Sequence, residues 1–546
     1  MTQDKRTRIS AEIEDSEGES SNHKKINIEN EQEISEIVQL LKKHIRNFEM
    51  EKVYYIFEKI NQREIFFKDI EDYLNVNFSK VINECLLGLN IILLPDHDQV
   101  IINGLKIKIL KLIFNILLDI SEFQDESSQI GENSNINSIK LKLLLENDLR
   151  LSLLKSIKSI EHIYLQTLKA DNISKKEDQN FEELISHESE LLQESVLETY
   201  FQLLESTIEI DPENVSKEFT EFEELFDWLI QILDDEESSI VDEITSLKME
   251  ILSIIFQYIK LSQESTIWKK TNKKQFMDKF LVKLANLALR DTEIGGIKEK
   301  EFLHNIIDII CNLLFEEEMR KEFCDLQGLE LMIKLMKEKT SMRHLSIKVV
   351  SFAMLDKGEM NNKFIQMSGL KLIFGFLAHS SKNLINDESY IKNRQQQDTD
   401  EHLCSIVKSL LQFSTGNDHK ILISKLIEDN YSKLKNFLIL RNYYSKKITQ
   451  ALENSQDDLL EEDENQIEII ETLAIDAGLF IVQLIDLILV YTIYYEKGNI
   501  HDFEKNVLSK NGIELNDLKT SIEDYSSSLN QDEKSFNERM LAYLNL

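Results

Sequence analysis

The chain has 546 residues, 98 acidic against 63 basic, for a formal net charge of −35. Such a field repels nucleic-acid phosphates and anionic lipid, so neither is an expected direct ligand, and it draws in basic partners at raised rates. Much of that charge also serves to coat solvated faces, as charge runs usually do. Only two prolines and fourteen glycines interrupt a chain that is 42% apolar, which excludes a strand-and-turn architecture and predicts an all-α fold.

Residues 1–33 are polar, with no apolar period, and read as a disordered tail. Lys5, Arg6 and Arg8, followed by Lys24 and Lys25, form a candidate nuclear-import signal interleaved with Glu12, Glu14 and Glu17. Nothing at the N-terminus reads as a secretory leader. Ile34, Ile37, Val38, Leu41, Ile45 and Phe48 then recur at helical spacing, and a second run follows through Tyr54, Ile56, Ile60 and Ile65. Residues 34–80 are therefore expected to cap the N-terminal end of a helical stack, which needs one polar outer face.

Residues 81–455 read as helical repeats. Two apolar helices flank a turn at Pro95–Asp98, where His97 between two aspartates is a capping arrangement, since no second ligand cluster accompanies it. A polar connection is expected over 121–139, and further helices over 141–168, 181–209, 219–233, 239–261 and 275–290, with Asp211-Pro212-Glu213 as a helix start. The clearest units occupy 301–378. Cys311–Met336 returns 41 residues later as Phe352–Leu377, with Glu318 on Glu359, Met319 on Met360, Phe323 on Phe364 and Gly328-Leu329 on Gly369-Leu370. An all-helical period of this length is that of armadillo and HEAT repeats, roughly 40–47 residues. A right-handed superhelical solenoid with helical capping units is the expected fold, because no single unit can bury its apolar face alone.

A mobile loop is expected over 380–400, then helices over 401–413, 419–427 and 431–452. Residues 456–475 form an acidic linker without a basic side chain between Asp457 and Glu471, either a solvated loop or a dock for a basic partner. Residues 476–546 are expected to form a C-terminal helical cap. Within it, Ala477–Tyr495 is apolar and nearly long enough to span a bilayer, but Gln483 and Asp486 interrupt it and no basic flank anchors it. A central aspartate costs about 2.5–3.5 kcal/mol on insertion scales, so a buried core helix is the expected outcome.

Chemistry-bearing motifs are lacking. There is no phosphate-cradling glycine loop, zinc helix or nucleophile elbow, and His402 and Cys404 sit two apart, off one another's helix face. The four cysteines (Cys85, Cys311, Cys324, Cys404) are scattered and read as reduced thiols. No catalytic residue, cofactor or metal ion is expected. The candidate partner-binding residues are the run Glu316-Glu317-Glu318, read as closing a repeat helix, and Asn305 with Asn312, seven apart on one face.

Several segments resemble the beta-catenin-like protein 1 family. They are Asn305, Asp308, Cys311, Arg320, Phe323 and Gly328–Met332; Ser346, Lys348-Val349 and Ala353-Met354; Lys363-Phe364 and Gly369-Leu370; Glu401–Ile406 with Ser409–Leu411; and Asp476–Phe480. The likeness runs from about 300 to 500. It implies a nuclear armadillo superhelix associated with the spliceosome through the Nineteen complex, binding basic nuclear-localisation-type segments of a Myb-like splicing factor. Armadillo asparagines, where Asn305 and Asn312 would stand, hold extended peptide backbone. The family's N-terminal basic signal is denser than Lys5-Arg6-Thr7-Arg8, and with only Trp228 and Trp268 the chain lacks the Trp–Asn ladder of import receptors. A cytoplasmic helical-repeat adaptor is the alternative reading, and self-association as a homodimer is left open.

Overall fold

A computed structural model describes residues 34–47, 49–62, 72–73, 77–89, 97–124, 133–174, 182–234, 242–259, 273–288, 296–338, 342–355, 359–386, 394–454, 466–496, 507–527 and 531–544. Those residues are helical with short connections and contain no strand, as the composition predicts. Two compact units divide at Asp211 and Pro212. Lys5, Arg6 and Arg8, the apolar positions Phe48 and Ile65, and most of the acidic stretch after Asp457 lie outside the described residues.

The first unit contains α1 (Ile34–Arg46), α2 (Met50–Asn61), α3 (Phe78–Leu89), α4 (His97–Glu122), α5 (Asn133–Leu144), α6 (Asn147–Ser174) and α7 (Glu182–Ile210). It is built as two rows: α1, α3 and α6 pack in succession, and so do α2, α4 and α7, with α1 against α2 and α6 against α7. The apolar seam of α1 (Ile34, Ile37, Val38, Leu41, Ile45) is buried as its spacing requires. The polar connection expected over 121–139 is shorter than its composition suggests. Asn133–Leu144 is helical, because Ile136, Ile139, Leu143 and Leu144 still give it a buried side. Its buried Lys140 donates to the carbonyls of Ser121 (3.0 Å) and Phe123 at the end of α4, satisfying groups the helix leaves unpaired.

The second unit begins at α8 (Pro212–Glu221), with proline in the first helical position as expected, and continues through α9 (Glu223–Ile230), α10 (Glu243–Tyr258), α11 (Lys273–Ala288) and α12 (Ile297–Leu313). Two complete three-helix units follow: α13 (Glu317–Asp325), α14 (Gly328–Lys337) and α15 (Met342–Ala353), then α16 (Glu359–Gln366), α17 (Gly369–Asn386) and α18 (Arg394–Phe413). The chain closes with α19 (Gly416–Asn454), α20 (Gln466–Ala477), α21 (Leu479–Glu496), α22 (Leu515–Ser527) and α23 (Gln531–Leu544). The third helices stack in one row, α10 on α12, α12 on α15, α15 on α18 and α18 on α21. A second row runs α11, α14, α17, α19.

The 41-residue repeat is visible as geometry. In each unit the first helix ends in a left-handed residue, Gln327 (φ 61°) or Ser368 (φ 65°), and the second begins at a glycine. A Cβ on Gly328 would lie 2.4 Å from the buried ring of Phe323, and one on Gly369 2.4 Å from that of Phe364. Neither glycine is needed for a positive φ. Each is needed so that the phenylalanine ring can lie flat on the start of the next helix. The end of the helix that precedes each unit is held in the same way: Arg320 donates to the carbonyls of Leu314 and Phe315 after α12, and Asn361, its repeat equivalent, to that of Met354 after α15.

The loop expected over 380–400 is mostly helix. α17 runs on to Asn386 and α18 starts at Arg394, leaving only 387–393 outside the description. The polar residues that suggest a loop are spent on a buried network: Asp400 accepts from Gln396 (2.9 Å) and from the Tyr444 hydroxyl (3.0 Å), and Gln396 also donates to Ser380 (3.1 Å). α19 breaks at Glu428–Tyr431, close to the expected gap, with Asp429, Asn430 and Tyr431 in left-handed backbone. The Tyr431 hydroxyl then reaches Glu496 (2.9 Å).

The apolar run near the C-terminus forms α21, among the described residues the one helix long and apolar enough to cross a membrane. Every residue from Ile481 to Ile493 is buried in protein, against α18, α19, α20, α22 and α23. Asp486, fully buried, accepts from Arg441 on α19 at 2.5 and 3.2 Å. Burial pushes its carboxyl up, and the bond to Arg441 opposes that.

Two outcomes follow. Alanine at Gly328 or Gly369 should lower stability by roughly 1–3 kcal/mol through overpacking. Alanine at Gly375, an exposed helical position with nothing within 4 Å of its Cβ, should raise it by about 0.5–1 kcal/mol. Urea midpoints of the three variants check the contrast. Arg441→Met should cost about 3–5 kcal/mol by stranding the buried carboxylate, and Arg441→Met/Asp486→Leu should recover most of it in the same melts.

Candidate binding face along the third-helix row

On α12 the apolar positions Phe302, Leu303, Ile306, Ile307 and Ile310 turn into the core, which leaves Glu301, His304, Asn305, Asp308 and Asn312 on the opposite, accessible side. The same division on α15 leaves His344, Lys348 and Phe352 accessible, and on α18 it leaves Gln395, Asp398, Glu401 and His402. Because these helices stack side by side, their accessible residues meet in rungs that cross the row.

The first rung joins the rings of His304 and His344 (5.8 Å between centroids), with Gln395 Nε2 2.6 Å from His344 Nε2. In the second, Lys348 Nζ donates to Asp308 (2.6 Å), and Asp398 adds a further negative field. Burial works against the charge on Lys348, but the bond and charge of Asp308 prevail and hold its pKa above the usual lysine range. The third rung links the Ser351 hydroxyl to His402 Nδ1 (3.0 Å), and Phe352 to both Phe315 and His402. Burial, helped by neighbouring positive charge, pulls His344 and His402 down to about 4, so both are neutral at physiological pH.

Asn305 and Asn312 lie on this accessible side of α12, half-exposed, beside the Asp308 rung. The acidic triplet is placed differently from the expectation. α12 ends at Leu313, and Glu316 is the residue before α13, whose first turn contains Glu317 and Glu318. The short turn at Leu314-Phe315 reverses the chain, so the run opens a helix instead of closing one. At that end the helix dipole favours carboxylates, by about 0.3–1 kcal/mol, so the triplet helps α13 to start. No motif marks the rungs as a set. Their trace in the sequence is a shared spacing, since His304 to His344 and Asp308 to Lys348 are each 40 residues apart.

His402 and Cys404 form no dyad. The histidine belongs to the third rung, while Cys404 is fully buried in the core with its thiol pushed far up by burial. Burial likewise raises Cys85 and Cys311 to about 12, so neither is a nucleophile.

Rows of three-helix units with a shared core define an armadillo-type helical solenoid. Residues 115–523 match the profile of the family described as catenin-beta-like, Arm-motif containing nuclear, and the chain belongs to that family. It is 26% identical over 241 residues to beta-catenin-like protein 1 of Bos taurus and 25% identical to that of Homo sapiens. The aligned stretch spans 42% of this chain and 42% of the length of each relative.

The histidines predict an acid-sensitive stack. Unfolded, each titrates near 6.5; folded, His344 and His402 do so at about 4. Between these values the unfolded chain binds more protons, so their contribution is complete above about pH 6.5 and declines as pH falls toward 4. Asp400, raised by burial to about 6, has the opposite sign and loses its contribution as pH rises through that value. Urea midpoints measured from pH 7 to 4.5 should fall with acidification, and His344→Gln/His402→Gln should flatten the slope.

Proposed function

We propose that this protein is a non-catalytic nuclear scaffold of pre-mRNA splicing, holding Lys- and Arg-rich segments of partner proteins along its third-helix row. Membership of a nuclear armadillo family over 115–523 supports the location and the binding role. The splicing process, with the Nineteen complex as setting and a Myb-like splicing factor as partner, rests on the resemblance to beta-catenin-like protein 1.

The observation that carries the ligand class is the charge of the rungs. Lys348 is already matched by Asp308, and Glu301, Asp398 and Glu401 on the same side outnumber the exposed Arg394, so the face is net negative within a chain of charge −35. Carboxylates make charge-assisted hydrogen bonds to guanidinium and ammonium groups. The amides of Asn305 and Asn312 can both donate to and accept from an extended backbone. A disordered basic segment would order as it binds.

Affinity purification of the tagged chain from nuclear extract tests the process. Recovery of a Myb-like splicing factor with its complex neighbours is expected; recovery of transport or tethering proteins alone, with a purely cytoplasmic fluorescent signal, would contradict it and favour a cytoplasmic adaptor. For the acidic triplet, Glu316→Lys/Glu317→Lys/Glu318→Lys should weaken a Lys/Arg peptide by roughly tenfold at low salt and less at high salt. Unchanged affinity at low salt would remove the triplet from the site.

A further inference from the structure

Phe315 is 61% exposed at the end of α12, whereas Phe302, Phe323 and Phe364 nearby are fully buried. The ring is held in place. Arg320 Nη1 donates to the carbonyls of Leu314 (2.8 Å) and Phe315 (2.9 Å), fixing the turn that presents it. Its ring meets Phe352 edge to face, with centroids 5.3 Å apart at 85°, and Phe352 continues toward His402 at 6.2 Å. Leu355, just beyond the end of α15, is 41% exposed. An apolar step thus runs across the ends of neighbouring third helices, in the direction of stacking. Glu316, Glu317 and Glu318 follow Phe315 directly, the last two exposed.

Exposed apolar surface rimmed by charge marks contact sites, and aromatic rings in such places anchor partners. We propose that Phe315, Phe352 and Leu355 form the anchor for a bulky apolar side chain that lies within a Lys/Arg-rich partner segment. The glutamate run beside it selects the cations next to that side chain. The charge of the rim is what commits the step to a basic segment over a neutral or acidic one. The inference rests on the basic-segment reading above and adds to it a requirement that charge alone does not impose.

The test uses the full chain and two labelled Lys/Arg-rich peptides, alike except that one has a central tryptophan and the other glycine there. The tryptophan peptide should bind about tenfold more tightly. Phe315→Ala should abolish that advantage while changing the glycine peptide's affinity by less than about twofold, and Leu355→Ser, at a second exposed position, should reduce the advantage independently. Equal binding of both peptides to the unaltered chain overturns the anchor and leaves the basic-segment reading standing. Binding of neither peptide at low salt overturns both. Concentration-dependent self-association that Phe315→Ala removes would assign the step to a second copy of the chain and overturn the proposal.

Discussion

The stack depends on a ring pressed against a backbone. Phe323 lies on Gly328 and Phe364 on Gly369, each so close that a single methyl group would overlap the ring. This contact sets the angle at which the first helix of a unit meets the second. That angle fixes where the third helix falls, and so whether α12, α15 and α18 lie side by side. Burying one phenylalanine is worth roughly 1.5–3 kcal/mol, but its larger effect is positional. An armadillo unit cannot close its own core, so an error of angle in one unit is passed to the next.

The repeat was legible because this constraint leaves a mark in the letters. A phenylalanine five residues before a glycine, recurring 41 residues on, requires no structure to be seen. The apolar face of α1, the proline start of α8 and the break within α19 were legible for similar reasons, since periodicity and local backbone chemistry determine them. What stayed hidden depended on partners distant in sequence. The stretch around Gln396 and Asp400 looks like a loop until Tyr444, 44 residues away, supplies a hydroxyl. Asn133–Leu144 looks like a connection until its few isoleucines and leucines find a core. The acidic triplet looks like the close of a helix because only a two-residue turn separates α12 from it, too little for composition to register.

The C-terminal region shows how a polar residue can sit in an apolar helix. Asp486 disqualifies α21 as an ordinary membrane span and would equally disqualify it as a core helix without Arg441. Such a pair gives little net stability, but losing one member is expensive. It ties α21 to α19 in one register, at the end of the row whose opposite sides form the candidate face. Core and face are thus two sides of the same helices: what aligns the apolar sides also aligns His304 with His344 and Asp308 with Lys348.

On the proposed function, partners lie along the third-helix row and not on the second. A photoreactive residue placed at position 305 on α12, with a control at the exposed position 371 on α17, distinguishes the two rows when a Lys/Arg-rich peptide is bound and illuminated. Cross-linking from position 305 and little from position 371 is the predicted result. Cross-linking from 371 alone, or equally from both, would place the partner elsewhere.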